Sequence, residues 1–485
     1  MRLSALALAA GIAAATALPA SAAEPGPAAA PRVAPAPGPI IQMFQWPWDS
    51  IAAECRSTLG PQGIGAVQVS PPQEHVQLAD QGHPWYQDYQ PVSYQLNSRR
   101  GDREKFANMV RTCNDAGVQI YADAVLNHMS AGSSQDSGPG SGGSQYSKYD
   151  YPGLYQDGDF HGCRRDIADY NNPEEVRTCE LVGLSDLKTE SEKVRAAEIG
   201  YLNDLIGLGV TGFRIDGAKH MAPEDVGAIT GAVRTLPGTD RKPYVFQEVI
   251  ADQASPTSDY TGNGDVTEFS YHDKISEAFK NGSLAGLLKT PDEMPTPSDK
   301  AVVFVDNHDT QRSEPTLTYK DGNAYDLANA FMLAYPYGTP KLISSFAFDN
   351  QDAGPPADQN GMTQPANCDD GAWVCEQRHP MISGMIGFWR AVQGKALSDW
   401  WDDGGGRIAF GRQDRGFVAL NREGGEWRQT LQTSLSPGVY CDVMHGSLQN
   451  GKCTGPTVEV YQDGKINVTV RPDEGVALHA GAKQS

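Results

Sequence analysis

From residue 40 onward, short runs of apolar and β-branched residues alternate with longer stretches whose apolar positions recur every three or four residues. The short runs, 40–44, 66–69, 118–125, 212–216, 244–249, 266–269, 301–306 and 341–344, predict strands. The longer stretches predict amphipathic helices. In one, Phe106, Met109, Val110 and Cys113 fall at i, i+3, i+4 and i+7, and in another Val194, Ala197, Tyr201 and Leu205 trace a similar face. Strand and helix alternating eight times predict an α/β fold, a (β/α)₈ barrel of the TIM type.

The rhythm lapses twice. Between Met129 and Thr189 lies a long excursion that opens Gly/Ser-rich and continues with many Tyr and Asp residues, which predicts an insertion after the third strand. After Trp389 the pattern turns to short strand-like runs at 408–411, 416–421, 439–443 and 465–470, punctuated by Gly, Asp and Pro, as in a small antiparallel β domain. The expected division is a barrel over 40–128 and 187–395, an inserted domain over 129–186, and a C-terminal β-sandwich over 396–485.

The 485 residues suit one large catalytic unit with satellites. A net charge of −21 and a pI near 4.8 would repel nucleic acid and anionic membranes, which leaves a neutral ligand as the easier partner. Arg2, an apolar run over 3–18 and the small-x-small pattern Ala20-Ser21-Ala22 predict a secretory signal peptide over 1–22. A Pro/Ala-rich spacer over 23–39 is expected to be extended and poorly ordered. No later stretch is long and apolar enough for a membrane anchor, so a secreted extracellular product is expected. The eight cysteines then predict disulfides, with local pairs Cys163–Cys179, Cys368–Cys375 and Cys441–Cys453 leaving Cys55 with Cys113. Zinc is the rival reading, but there is no C-x-x-C pair to favour it.

The chemistry concentrates where predicted strands end. In GFRIDGAKH (212–220), alternation puts Arg214 and Asp216 on one face, so the guanidinium should hold the carboxylate ionised. A lone Arg-x-Asp is more often a structural ion pair. Three other strand ends change that reading: DAVLNH with Asn127 and His128, FQEV with Glu248, and VDNHD with Asp309. Glycoside hydrolysis with retention needs a carboxylate nucleophile and a protonated carboxyl roughly 5 to 5.5 Å apart. Neighbouring strands bring Asp216 and Glu248 within that range. Glu248 has no cation beside it in the sequence, so partial desolvation is expected to favour its protonated form.

At these residues the chain resembles a secreted α-amylase of the glycoside hydrolase α-amylase family, of the animal and actinobacterial branch. The motifs DAVLNH, LSDLK (184–188), GFRIDGAKH, QEVI and FVDNHD stand in that family's order from residue 40 to about 478. The resemblance implies Asp216 as nucleophile, Glu248 as acid/base and Asp309 as transition-state stabiliser. It implies sugar contacts at Trp85, Tyr86, Tyr89, Gln90, His128, Arg214, Lys219, His220 and His308. It also implies a structural Ca²⁺ held by the side chains of Asn127 and Asp186 and the carbonyls of Arg177 and His220. A chloride site at Arg214, Asn307 and Lys341 stays open, because Lys341 stands where animal relatives usually carry Arg. Residues 310–322 also lack those relatives' glycine-rich, histidine-bearing loop.

The expected function is therefore an extracellular, endo-acting hydrolase of internal α-1,4-glucosidic bonds in starch-like glucans, retaining configuration and acting as a monomer. Transglycosylation, a sugar-binding protein without catalysis, and a metal-dependent hydrolase using Asp123, His128 and His308 are the alternatives. The sequence leaves product length, pH optimum and granule adsorption open.

Overall fold

The computed structural model describes residues 30–131, 137–313 and 316–484. Eight parallel strands close into a barrel in chain order: β1 (Ile40–Met43), β2 (Ala66–Val69), β3 (Gln119–Ala124), β4 (Gly212–Ile215), β5 (Tyr244–Gln247), β6 (Asp265–Thr267), β7 (Ala301–Val303) and β8 (Thr339–Ser344), with β8 pairing back to β1. Every predicted run overlaps its strand. Asp216, Glu248 and Asp306 fall just beyond their ladders, because the chain leaves the sheet where it carries polar groups to the rim.

The main helices packed around the barrel are α1 (Trp48–Glu54), α2 (Arg103–Asp115), α3 (Glu192–Leu208), α4 (Pro223–Ala232), α5 (Phe269–Asn281), α6 (Asn323–Ala334) and α7 (Pro380–Ala391). In α2 the Asp102 carboxylate accepts from Lys105 N at 2.9 Å, capping the first turn. Its buried face is Phe106, Met109, Val110 and Cys113, as the periodicity predicts. Strand alternation sorts the interior into layers. Ile40, Ala66, Tyr121, Tyr244, Phe246 and Val302 form an apolar layer at the N-terminal mouth. Two residues further along the strands the buried side chains are Gln42, Gln68, Asp123 and Arg214, so the upper layer is polar.

Between β3 and α3 the insertion forms two small sheets and the short helix Pro173–Thr178 around a Tyr-rich core of Tyr146, Tyr151, Tyr155 and Phe160. A bridge between His128 and Asp186 fastens it to the rim. The C-terminal part packs two four-stranded antiparallel sheets. One orders β9 (Ser398–Asp402), β10 (Arg407–Gly411), β11 (Gly416–Asn421) and β16 (Glu474–His479). The other orders β12 (Trp427–Gln432), β15 (Lys465–Val470), β14 (Thr457–Val460) and β13 (Gly438–Cys441).

All four expected disulfides form: Cys55–Cys113, Cys163–Cys179, Cys368–Cys375 and Cys441–Cys453. The predicted signal peptide lies outside the described residues. No described helix is long and apolar enough to cross a membrane. The end of the spacer differs from its expected looseness. Arg32 bridges to Lys242 and donates to Thr230 Oγ1 at 2.8 Å, and Ala36 N donates to the Tyr121 hydroxyl at 2.8 Å. Proline there stiffens a segment that lies against the apolar layer of the N-terminal mouth.

Candidate active site

One guanidinium organises the rim. Arg214 Nη1 donates to Asp123 Oδ1 at 2.7 Å and to Asp216 Oδ1 at 2.6 Å, while Nη2 reaches Glu248 Oε1 at 2.6 Å. Register explains the convergence: Asp123 pairs with Arg214 across β3 and β4, and Ile215 pairs with Gln247 across β4 and β5, so Asp216 and Glu248 emerge side by side. The second oxygen of Glu248 accepts from Gly217 N at 2.8 Å. That turn needs Gly217 in the left-handed region, at φ 52°. Tyr89 braces the cluster from the groove side by donating to Asp123 Oδ2 at 3.0 Å.

Two expectations about this cluster are corrected. Glu248 does have a cation beside it, because Arg214 reaches across from β4. Asp216 is not held below the ordinary carboxylate range. Burial pushes its carboxyl well up, Arg214 opposes this, and the neighbouring charges of Glu248, Asp123 and Asp309 add to the rise. Asp123 is raised by burial for the same reason, despite its own bond to Arg214. One guanidinium does not neutralise the crowd of acids around it.

Asp309 sits on the turn after β7, where Asn307 Oδ1 accepts from Asp309 N at 2.9 Å and Thr310 N at 2.8 Å. Its side chain keeps 44% of its surface open to the groove, yet its setting deep between the walls pushes its carboxyl up to about 7, with Glu248 contributing. His308 Nδ1 faces Gln42 Nε2 at 2.9 Å, and its Nε2 lies 3.4 Å from Asp309 Oδ2. Burial, Arg214 and Lys341 push His308 well below the usual imidazole range, so the ring is neutral. It stacks on Tyr89 at 4.9 Å.

Asp216, Glu248, Asp309, His308 and Tyr89 line a groove of about 610 Å³, together with Trp85, Tyr86, Gln90, His128, Lys219 and His220. Arg214 alone among the expected sugar contacts lies beneath the floor. Asp123, His128 and His308, the trio of the metal-hydrolase alternative, turn to separate partners: Arg214, the Tyr89 carbonyl and Gln42. Among the described residues no group of three His, Cys, Asp or Glu side chains is arranged to hold a metal ion.

Comparison with known proteins places this geometry in context. The family described as "Alpha amylase, catalytic domain" matches residues 62–341, and "Alpha amylase, C-terminal all-beta domain" matches 399–481. An α-amylase of Thermomonospora curvata is 53% identical over 92% of this chain and 74% of its own length. The chain belongs to the α-amylase family of glycoside hydrolases. An α-amylase of Tribolium castaneum is 45% identical over 92% of this chain and 94% of its own. A mutant of α-amylase I from Eisenia fetida, solved with maltohexaose, superposes with a TM-score of 0.87 at 38% identity, across 93% of this chain and 99% of that one.

The α-amylase groove also contains residues the sequence reading passed over. Tyr170, Leu181, Val182 and Leu184 of the insertion, and Ile250 after β5, line it. Tyr170, Val182 and Ile250 are large apolar side chains left exposed. Their signal was the run Leu181-Val182-Gly183-Leu184, too apolar for a solvated loop and too short for a strand. Asp252 was also missed; it accepts from Lys219 Nζ at 2.6 Å.

Proposed function

We propose that this α-amylase-family enzyme hydrolyses internal α-1,4-glucosidic bonds of starch-like glucans with retention of configuration, outside the cell. The observation that carries the reading is the shared guanidinium: Asp216 and Glu248, from adjacent strands, are bound by the two nitrogens of Arg214 and flank one groove. That proximity suits double displacement. An Asp216 carboxylate oxygen bonds to the anomeric carbon as the C–O bond to the leaving sugar breaks, and Glu248 gives its proton to the departing oxygen. Glu248 then takes a proton from water, whose oxygen displaces Asp216. Glu248 Oε1 meets Arg214 and Oε2 meets Gly217 N. Substrate has to free one of these oxygens to take up the proton that the raised Asp216 carboxyl gives up as it becomes the nucleophile. Asp309, at the same groove, stabilises the positive charge that develops on the sugar. Trp85, Tyr86 and Tyr89 offer ring faces to glucose units, and the anionic surface has no charge to overcome in a neutral glucan.

The residues expected to hold calcium fit a hard cation. Asp186 is a buried carboxylate whose Oδ1 lies 3.3 Å from Asn127 Nδ2 and Oδ2 2.6 Å from His161 Nδ1, so a cation would take the place of these donors, and the helix carrying Arg177 is tied to the fourth-strand loop through His220 Nδ1 and Val176 O at 3.1 Å. A bound calcium ion supplies positive charge there and fastens the insertion to the barrel. A chloride ion would be held by Arg214, Asn307 and Lys341, all buried; Lys341 Nζ donates to Gln42 Oε1 at 3.0 Å. Maltohexaose hydrolysis followed by proton NMR tests the reading. First-formed products with the α-anomeric configuration are expected; β-anomers overturn retention, and release of single glucose units only overturns internal cleavage.

A further inference from the structure

Arg312, on the turn after Asp309, is buried among aromatic rings. Its guanidinium carbon lies 4.3 Å from the ring centre of Phe348, 5.2 Å from Trp85 and 5.3 Å from both Phe44 and Phe346. Nη1 donates to the His308 carbonyl at 2.7 Å and Nε to the Gln351 carbonyl at 3.0 Å, while Nη2 is buried without a protein partner among the described residues. The groups it touches come from the end of β1, the loop bearing Trp85, the turn after β7 and the loop after β8. Burying a cation is costly, and a methionine or leucine would fill an aromatic cage at lower cost, so packing alone does not account for the charge.

We propose that Arg312 is a positioning residue for the hydrolytic reaction: one guanidinium fixes the Trp85 ring as a sugar-facing wall and, through the His308 carbonyl, sets the carboxylate of Asp309. The inference rests on Asp309 as the third acid. The charge acts in the same sense as the brace. Asp309 is faced by Glu248, Asp123, Asp216, Tyr89 and His308, with Arg214 and Arg312 as the opposing cations. Arg312 is itself faced by Asp309, Tyr319, Tyr89 and Asp352.

The full-length enzyme carrying Arg312→Met or Arg312→Lys tests this. Maltohexaose affinity is measured on a Glu248→Gln background, and the pH dependence of kcat/KM on the Glu248 parent. Arg312→Met is expected to weaken maltohexaose binding about tenfold and to move the acid limb of kcat/KM to higher pH. Arg312→Lys is expected to return the acid limb toward the parent's while binding stays weak, because an ammonium keeps the charge and loses the planar fork. Parental affinity in Arg312→Met, or a loss of activity that only follows Tm with the acid limb unmoved, overturns the proposal. Should Arg312→Met not fold, Phe348→Leu removes the nearest ring and leaves the charge; weaker binding with an unmoved acid limb is then expected, and unchanged binding overturns it. Failure of the underlying reading shows separately, as full activity in Asp309→Asn.

Discussion

Arg100 and Arg214 are both buried beside the groove, in opposite company. Arg100 Nη2 meets Asp88 Oδ1 at 3.1 Å, and the same oxygen lies 3.4 Å from His75 Nε2, so one carboxylate is held between a cation and an imidazole. Burial raises the Asp88 carboxyl, but Arg100 and His75 outweigh it and the group ends below its usual range. Arg214 serves three carboxylates, and Asp123 and Asp216 end above theirs. The first network has more positive than negative charge facing its one carboxylate and ties Asp88 to the loop bearing Arg100. The second carries more acid than its cation can satisfy. Fixed repulsion of that kind is a cost a structural network would shed, so the imbalance fits the catalytic role proposed for Asp216 and Glu248.

The sharpest way to break this contrast is to neutralise one acid in each network. Asp216→Asn or Glu248→Gln should lower kcat by a thousandfold or more while urea midpoints hold or rise, since repulsion is relieved. Asp88→Asn should reverse the outcome, costing about 3 to 5 kcal/mol of stability in urea titrations with kcat of the folded enzyme little changed. Equal loss of rate in both variants would erase the distinction. Next in size is chelation. Removing calcium should lower Tm by several degrees, reversed by calcium, because the ion would add binding energy to the folded state only.

Two pH measurements sharpen the comparison further. Burial and Arg214 bring Lys341 down to about 8. A depressed lysine keeps its charge below that pH and loses it above, so any enhancement of rate by chloride should be present at pH 6 and fade as pH rises through 8. Lys341→Arg should carry the enhancement to higher pH. The smallest effect concerns Asp306, whose carboxyl accepts from Tyr325 and Gln311 at 2.8 Å and is pushed up to about 8 by burial and Glu376. The folded state then binds a proton that the unfolded chain has released, so this group's contribution falls as pH rises from about 4 to 8. Asp306→Asn should flatten the slope of urea midpoint against pH over that window.

Much of this was legible in the chain. The two-residue period of 212–216 and 244–249 placed Asp216 and Glu248 inward and at the same rim, because alternation in a closed barrel leaves them no other side. Cysteine spacing found three of the bridges for a similarly local reason, and Cys55–Cys113, 58 residues apart, followed as the remaining pair. What stayed hidden depends on several strands at once. Nothing near Glu248 in sequence announces Arg214 two residues before Asp216 on another strand, and no window holds enough neighbours to show that burial outweighs one guanidinium. Tyr170, Val182 and Ile250 were hidden because they meet only at the groove, from segments far apart in the chain. Arg312 was hidden because its four rings come from residues 44, 85, 346 and 348.

The strap over residues 30–39 has a bearing on maturation. Because Arg32 holds Thr230 of α4 and Lys242 ahead of β5, and Ala36 holds Tyr121 of β3, residues 30–39 belong to the folded body. An expression clone trimmed to start at Ile40 would leave the tyrosine and phenylalanine floor around Tyr121 open to water, and its shelf life, not its turnover, would reveal the cut.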